Sequence, residues 1–487
     1  MYPHEYIPIL NEIEKKYKVS EWKSHGFQIW PVIRVGLGFS LDSISKSVIK
    51  DSMFQHITNL IRDTINFIWW NVFDFSKNAK PQSSNFVFFT LTEERSTLYK
   101  NKWFNNYCDP INDAMSKIGK NSFYLEYSSR GIYKTPRYSK SFFIQLFLNF
   151  RSIYTVLFGE KINYDSFPDF NKVEDLLLKK TDIEPKSLRK IFSRISVIRS
   201  WANFHKQILK TINPQIGFVV SFYGPYSMSF LLACHELGIP TVDLQHGVQG
   251  NSNVAYSEWF NIPKSGYETL PNVFWVWNKE DFDEKQKWIR SNKKHLAFLG
   301  GNLLLEEFLN SDSEISKFYA SKILNITNQN KKIALITLQP SNGLKNFREL
   351  IKESPKEIYY FIRLHPMMHS QYSTIERELN ELKTDNWNVY DATNLPLYAI
   401  LQAIDVHITE ASAVVMEAEV FGVQSILIQK ESEFFFLSQI KSRFAVVREK
   451  TSEIITEILH SKRRSKKLQK PMPIADKIRL LSDEIKV

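Results

Sequence analysis

The stretch from Ile216 to Gln245 constrains the fold most. "IGFVVSF" is a continuous apolar, β-prone run, "YSMSFLLACHELG" has helical character and ends at Gly238, and "IPTVDLQ" is β-prone again. Glycine just past a helical run is a stop signal. A strand, a helix and a strand of these lengths make a parallel pair joined by a right-handed crossover. The Gln245-His246-Gly247 triplet then falls at the carboxyl end of the second strand. That edge of an open α/β sheet is where ligands bind.

The same alternation recurs downstream. "VFWVWN" (from Val273), "HLAFLGG" (from His295), "KIALITL" (from Lys332), "IYYFIRL" (from Ile358), "WNVYDA" (from Trp387), "DVHITEAS" (from Asp405) and "VQSILIQ" (from Val423) are strand-like, with helical stretches between most of them. Upstream, "FVFFTLT" from Phe86 reads as a strand buried on both faces, after a mostly helical start closed by the turn-rich "SKNAKPQSSN". The pattern predicts an α/β protein of two Rossmann-like domains facing a central cleft. With the boundary set in the turn-rich "IPKSGYETLPN", the domains are residues 1–265, 266–450 and a basic helical tail over 451–487. A chain of 487 residues suits more than one domain.

Three polar motifs end strands. Beside Gln245-His246-Gly247 stand "RLHP", from Arg363 through His365 to Pro366, and "ITEASAVVMEAEVFG", with Glu410, Ser412, Ala413 and Glu417. In the last, a strand gives way to a helix start, whose unpaired N–H groups and Ser412 hydroxyl can bind phosphate. Ser412 can equally serve as a helix cap. Glu417 can accept from ribose hydroxyls or stand as a surface acid. His365, fixed before a proline, can donate to a phosphate oxygen or be a satisfied structural histidine.

Other properties narrow the classes. A net charge of +11 suits an anionic ligand or an anionic membrane surface. No zinc-finger spacing or RNP-like run points to nucleic acid. Cys108 and Cys234 form no CxxC pair, which fits a reducing cytoplasm and no cysteine-based zinc site. The start lacks the basic-then-apolar order of a signal peptide. No stretch reaches the roughly 18–20 uninterrupted apolar residues of a membrane span. "LIRDTINFIWWNVFDF" from Leu60 and "SFFIQLFLNFRSIYTVLF" from Ser141 read as buried helices or as an interfacial surface. The run "SKRRSKKLQK" reads as a solvated face or a contact for anionic lipid.

In order and spacing, "GIPTVDLQHG", "FIRLHP" and "ITEASAVVMEAEVFG" resemble the motifs of bacterial capsule and surface-polysaccharide glycosyltransferases of GT-B fold. That group is related to Kdo and sialic-acid polymer transferases and to teichoic-acid polyol-phosphate transferases. The resemblance spans roughly Ile216 to Ile428. It implies a nucleotide-activated sugar as co-substrate, with no resident cofactor, and a glycan or lipid-linked glycan acceptor. It assigns Arg363, His365, Pro366, Glu410, Ser412, Ala413 and Glu417, with Gln245 and Gly247, to ligand binding. His246 becomes the candidate base, with Glu93, Glu94 and Asp243 as alternatives, and His365 meets the leaving phosphate. The chain departs from the family in having a single hydroxyl in the Glu410–Ala413 turn. The retaining pattern of two glutamates is absent, which favours inversion. No convincing DxD metal motif appears, since Asp281 and Asp283 look like acids in a helix first turn; transfer without a metal is therefore expected. A CDP-polyol-dependent transferase, a sugar-nucleotide epimerase and a non-catalytic assembly scaffold are the rival readings. The expected location is cytoplasmic, with peripheral contact at the inner membrane face as an option.

Overall fold

A computed structural model describes residues 3–47, 61–65, 68, 80–128, 131, 133–160, 162–181, 183–247, 249–250, 253–290, 292–310, 312–324, 331–464 and 471–485. Most of "LIRDTINFIWWNVFDF" and residues 465–470 of the basic run lie outside these. The chain divides into two units, residues 1–303 with 472–487, and residues 304–471.

The first unit is built on seven parallel strands among the described residues: β1 (Phe86–Leu91), β2 (Ser122–Tyr127), β3 (Phe142–Phe143), β4 (Ile216–Val220), β5 (Thr241–Leu244), β6 (Val273–Val276) and β7 (Leu296–Leu299). Their spatial order is β7-β6-β5-β4-β1-β2-β3. β1, β4 and β6 are apolar on both faces, as helices on both sides of a parallel sheet require. The second unit holds β8 (Lys332–Thr337), β9 (Ile358–Arg363), β10 (Trp387–Asn388), β11 (Val406–Thr409), β12 (Gln424–Leu427) and β13 (Ala445–Val447), ordered β10-β9-β8-β11-β12-β13. Both sheets start in the middle, grow outward on one side, and return to the other flank of the first strand. This is the doubly wound, Rossmann-like order, so each unit is Rossmann-like as the sequence implied. Two reversal points result, β1/β4 and β8/β11.

The expected boundary at 265/266 is corrected. β6 pairs in parallel with β5, Phe274 opposite Asp243, and β7 pairs with β6. The "IPKSGYETLPN" turn is thus an internal connection, tied down where the Asn272 side chain accepts from the Thr241 N–H at 2.9 Å. The tail is corrected too. Thr451–His460 is a helix of the second unit. Ile474–Ile485 returns to the first, where Ile478 and Leu481 are buried and Lys477 Nζ donates to the Gly300 carbonyl at 2.6 Å. "WNVYDA" forms only a two-residue strand before a short helix at Tyr390–Asn394. β2, β3 and β13 are strands that the sequence pattern did not mark.

The N-terminal helices, Ile7–Lys16 and Trp30–Ser47, are fastened by a buried ionic cluster. Glu14 Oε1 accepts from Arg34 Nη1 and Trp30 Nε1, each at 2.6 Å, and Oε2 accepts from the Phe260 N–H at 2.8 Å. Arg34 Nη2 donates to the Ser257 hydroxyl and the Glu258 carbonyl. Residues 254–260, which follow the Gln245–Gly247 turn, are held in place by this cluster. Glu14 and Arg34 are both fully buried, and removing one partner strands the other charge in the core. Glu14→Ala should therefore lower unfolding stability by about 3–5 kcal/mol in urea denaturation, the cost typical of a broken buried pair.

Candidate functional site

In the first unit, side chains gather at the carboxyl ends of β1, β4 and β5. β4 ends at Val220, and Ser221 adopts φ 63°, a left-handed conformation costly for a side-chain-bearing residue. This turns the chain sharply before Gly224 and Pro225 open the Pro225–Glu236 helix. Ser221 Oγ and the Tyr223 hydroxyl lie 3.0 and 3.2 Å from His246 Nε2. Nδ1 of His246 is buried without a partner among the described residues. Burial lowers the imidazole to about 4, so the ring is neutral at pH 7.

Asp243, on β5, is spent on structure. Its Oδ1 accepts from the Phe222 N–H at 3.0 Å and its Oδ2 from the Tyr256 hydroxyl at 2.7 Å. Burial pushes this carboxyl up to about 7, against its hydrogen bonds and the attraction of Lys285. Lys285 is buried, donates to the Tyr256 carbonyl at 2.8 Å, and is lowered by burial to about 8. Gln245 is engaged on every side: Nε2 donates to the Gly247 carbonyl and to Asp281, and Oε1 accepts from the Trp277 N–H. Its amide braces the turn. A Cβ built at Gly247 meets open space, so the turn itself does not require glycine there.

Glu94 follows β1, at the β1/β4 reversal. Thr90 donates to its Oε2, and Asn105 donates to Thr90 Oγ1 at 2.9 Å. Burial raises the carboxyl to about 8, outweighing these hydrogen bonds. Glu93 is tied down by Thr92 and Ser128 hydroxyls. Glu94 and Asp243 both act electrostatically on Tyr223, which touches His246.

In the second unit, β9 ends in Arg363. Its Nη1 donates to the Ala392 and Leu395 carbonyls at 2.7 Å, and burial lowers the guanidinium to about 10, still a cation at neutral pH. Nδ1 of His365 accepts from the Met367 N–H at 3.2 Å. A neutral ring in that bond carries its proton on Nε2, which makes Nε2 a donor. Pro366 opens a 3-10 turn, Pro366–Gln371. Glu410, directly after β11 and 2% exposed, accepts on Oε1 from Asn342, Asn346 and Gln429, while Oε2 is buried without a partner among the described residues. Its carboxylate thereby ties the loop after β8 to that after β11, across the reversal. The Ser412 hydroxyl accepts from the Val414 N–H at 3.3 Å, one residue ahead of Ala413, which precedes the seven-residue Val414–Val420 helix. Glu417 Oε1 accepts from the Tyr398 hydroxyl at 3.0 Å. Burial raises its carboxyl, and Arg363 partly offsets the shift.

The structure thus gathers His246, Glu94 and Asp243 at one edge, and Arg363, His365, Glu410, Ser412 and Glu417 at another. Ser221, Tyr223, Tyr256, Lys285, Asn342 and Asn346 escaped the sequence reading; "SFYGP" and "SNG", with their turn residues, were the only local signals. Asp281 and Asp283 do open a helix, Lys279–Ile289, with the Asn278 side chain accepting from the Asp281 N–H. Among the described residues no three His, Cys, Asp or Glu side chains cluster as a metal site would require.

No family model and no curated protein matches this sequence. Solved structures resemble it in outline. The UDP-GlcNAc 2-epimerase from Neisseria meningitidis, bound to UDP-GlcNAc, aligns with TM-score 0.48 and 13% identity over 82% of this chain and 99% of that one. The UDP-GlcNAc 2-epimerase from Methanocaldococcus jannaschii aligns with TM-score 0.48 and 10% identity over the same shares. The wall teichoic acid polymerase TagF aligns with TM-score 0.44 and 9% identity over 89% of this chain and 93% of that one. Identities this low leave activity to be read from the chain's own residues.

The raised Asp243 carboxyl has a consequence for stability. The folded chain holds a proton that the unfolded chain releases above about 3.8, so stability falls as pH rises from there to about 7. Asp243→Asn keeps the shape of the protonated acid. It should flatten that part of the profile of denaturation midpoint against pH; an unchanged profile would contradict the assignment.

Proposed function

We propose that the protein transfers a glycosyl group from a nucleotide-activated sugar to a hydroxyl of a growing bacterial surface glycan, with inversion and without a metal. The second unit takes the nucleotide and the first takes the acceptor. The acceptor oxygen attacks the anomeric carbon, the bond from that carbon to phosphate oxygen breaks, and the nucleotide departs with the electron pair. The acceptor proton passes to Glu94. The observation that carries this reading is Glu94 itself: a carboxyl at the strand-order reversal, held at about 8 by burial. A base works best with a pKa near the working pH. The imidazole of His246, lowered to about 4, is a much weaker base, and its open Nδ1 suits orienting the acceptor.

The leaving phosphate gains charge as the bond breaks, and preorganised donors stabilise it. The Nε2–H of His365, the Arg363 guanidinium and the Ser412 hydroxyl, which keeps its own proton to give, fill that role. Glu417 takes a ribose hydroxyl while Tyr398 fixes its other oxygen. The nucleotide-sugar is a co-substrate, and no resident cofactor is needed.

The test incubates the full chain with UDP-, CMP-, CDP- and GDP-activated donors and a glycan acceptor, with products read by mass. One donor should add a glycosyl residue, at a rate that rises with pH through about 8 as Glu94 loses its proton. Glu94→Gln should cut this by about 10²–10⁴-fold. Gain of a polyol phosphate would replace the reading with the polyol-phosphate transferase, and acceptor-independent epimerisation of the donor would replace it with the epimerase. A flat pH profile would remove Glu94 as the base.

A further inference from the structure

The helix Gln145–Phe158 carries an exposed apolar stripe. Phe150, Ile153, Tyr154, Leu157 and Phe158 follow the i, i+3, i+4, i+7, i+8 spacing of one helix face and are 43% to 70% exposed. The opposite face is the packed one: Leu148 and Thr155 are buried, and Trp201 of the Pro185–Ile212 helix donates its Nε1–H to the Leu148 carbonyl at 2.8 Å. The segment from Ser141 to Gly159 contains no acidic residue and has one cation, Arg151.

Beside the stripe lies a cavity of about 840 Å³. Thr155, next to Tyr154 around the helix, forms part of its wall, and Arg189, Arg194, Tyr164 and Ser193 line it with the acid Glu160. Neither arginine makes a hydrogen bond or ion pair among the described residues, although Arg194 is desolvated enough to lower its guanidinium. The main-chain carbonyl of Glu160 accepts from Ser196, and its charge acts on His25. One partly desolvated guanidinium, Arg194, beside an exposed one, Arg189, at an apolar rim fits an anion attached to an apolar body.

We propose that this face docks on an anionic lipid monolayer: the stripe enters the acyl boundary, and Arg189 and Arg194 take lipid phosphate in the adjoining cavity. A helix lying in the membrane interface has this form, an apolar face inserted and cations at its flank. The inference is independent of the transfer reading, because the assay needs no turnover.

The test is co-sedimentation of the full chain with vesicles of phosphatidylcholine alone or mixed with phosphatidylglycerol. The wild type should pellet with the mixed vesicles. Leu157→Glu and Phe158→Glu, both at exposed positions, should weaken this at least about tenfold with circular dichroism unchanged. Arg189→Gln and Arg194→Gln should each reduce the preference for phosphatidylglycerol by roughly fivefold, the loss of one cation at a charged surface. A wild-type chain that stays in the supernatant, or glutamate variants that pellet as it does, would overturn the docking. Arginine variants that keep the full preference would overturn the headgroup site.

Discussion

The right-handed crossover between parallel strands is the constraint from which the functional edges follow. Because each crossover packs on the face its hand dictates, strands added on either side of the first one carry their helices on opposite faces. Where the order reverses, two loops diverge and leave the strand ends uncovered. At β1/β4 this is where Glu94 and the strained Ser221 stand. At β8/β11 it is where Glu410 draws in Asn342 and Asn346.

The two edges are chemically unlike. The first carries groups whose proton affinities burial has displaced: Glu94 and Asp243 upward, His246 and Lys285 downward. The second carries donors fixed in direction by main-chain or carboxylate partners: Arg363 by two carbonyls, His365 by the Met367 N–H. The proposed transfer assigns proton handling to the former and anion stabilisation to the latter. Asp243 has a different task from the one its position suggested, since both oxygens secure neighbouring loops.

Much of this was legible in the sequence. Continuous apolar runs identified β1, β4 to β9, β11 and β12, because strands covered on both faces leave no alternation to confuse. Gln245, His246, Arg363 and His365 stood out because they end such runs. The domain boundary was not legible: a turn between two strands of one sheet and a linker between domains use the same Pro, Gly and Asn residues, and only the pairing of β6 with β5 separates them. Nor could sequence distinguish Gln245 as a brace from Gln245 as a ligand group, because that depends on Trp277 and Asp281, about 30 residues away. The short β3 and β13 are fixed by their neighbours rather than by their own composition.

The most direct measurement is thermal unfolding of the full chain against a panel of nucleoside diphosphates and their sugar conjugates, for the wild type and for His365→Ala. A ligand that binds only the native state raises its stability. The account predicts that at least one nucleotide raises the wild-type Tm, and that His365→Ala, folded to the same ligand-free Tm, loses most of that rise. Equal stabilisation of both proteins, or of neither by any nucleotide, would contradict it.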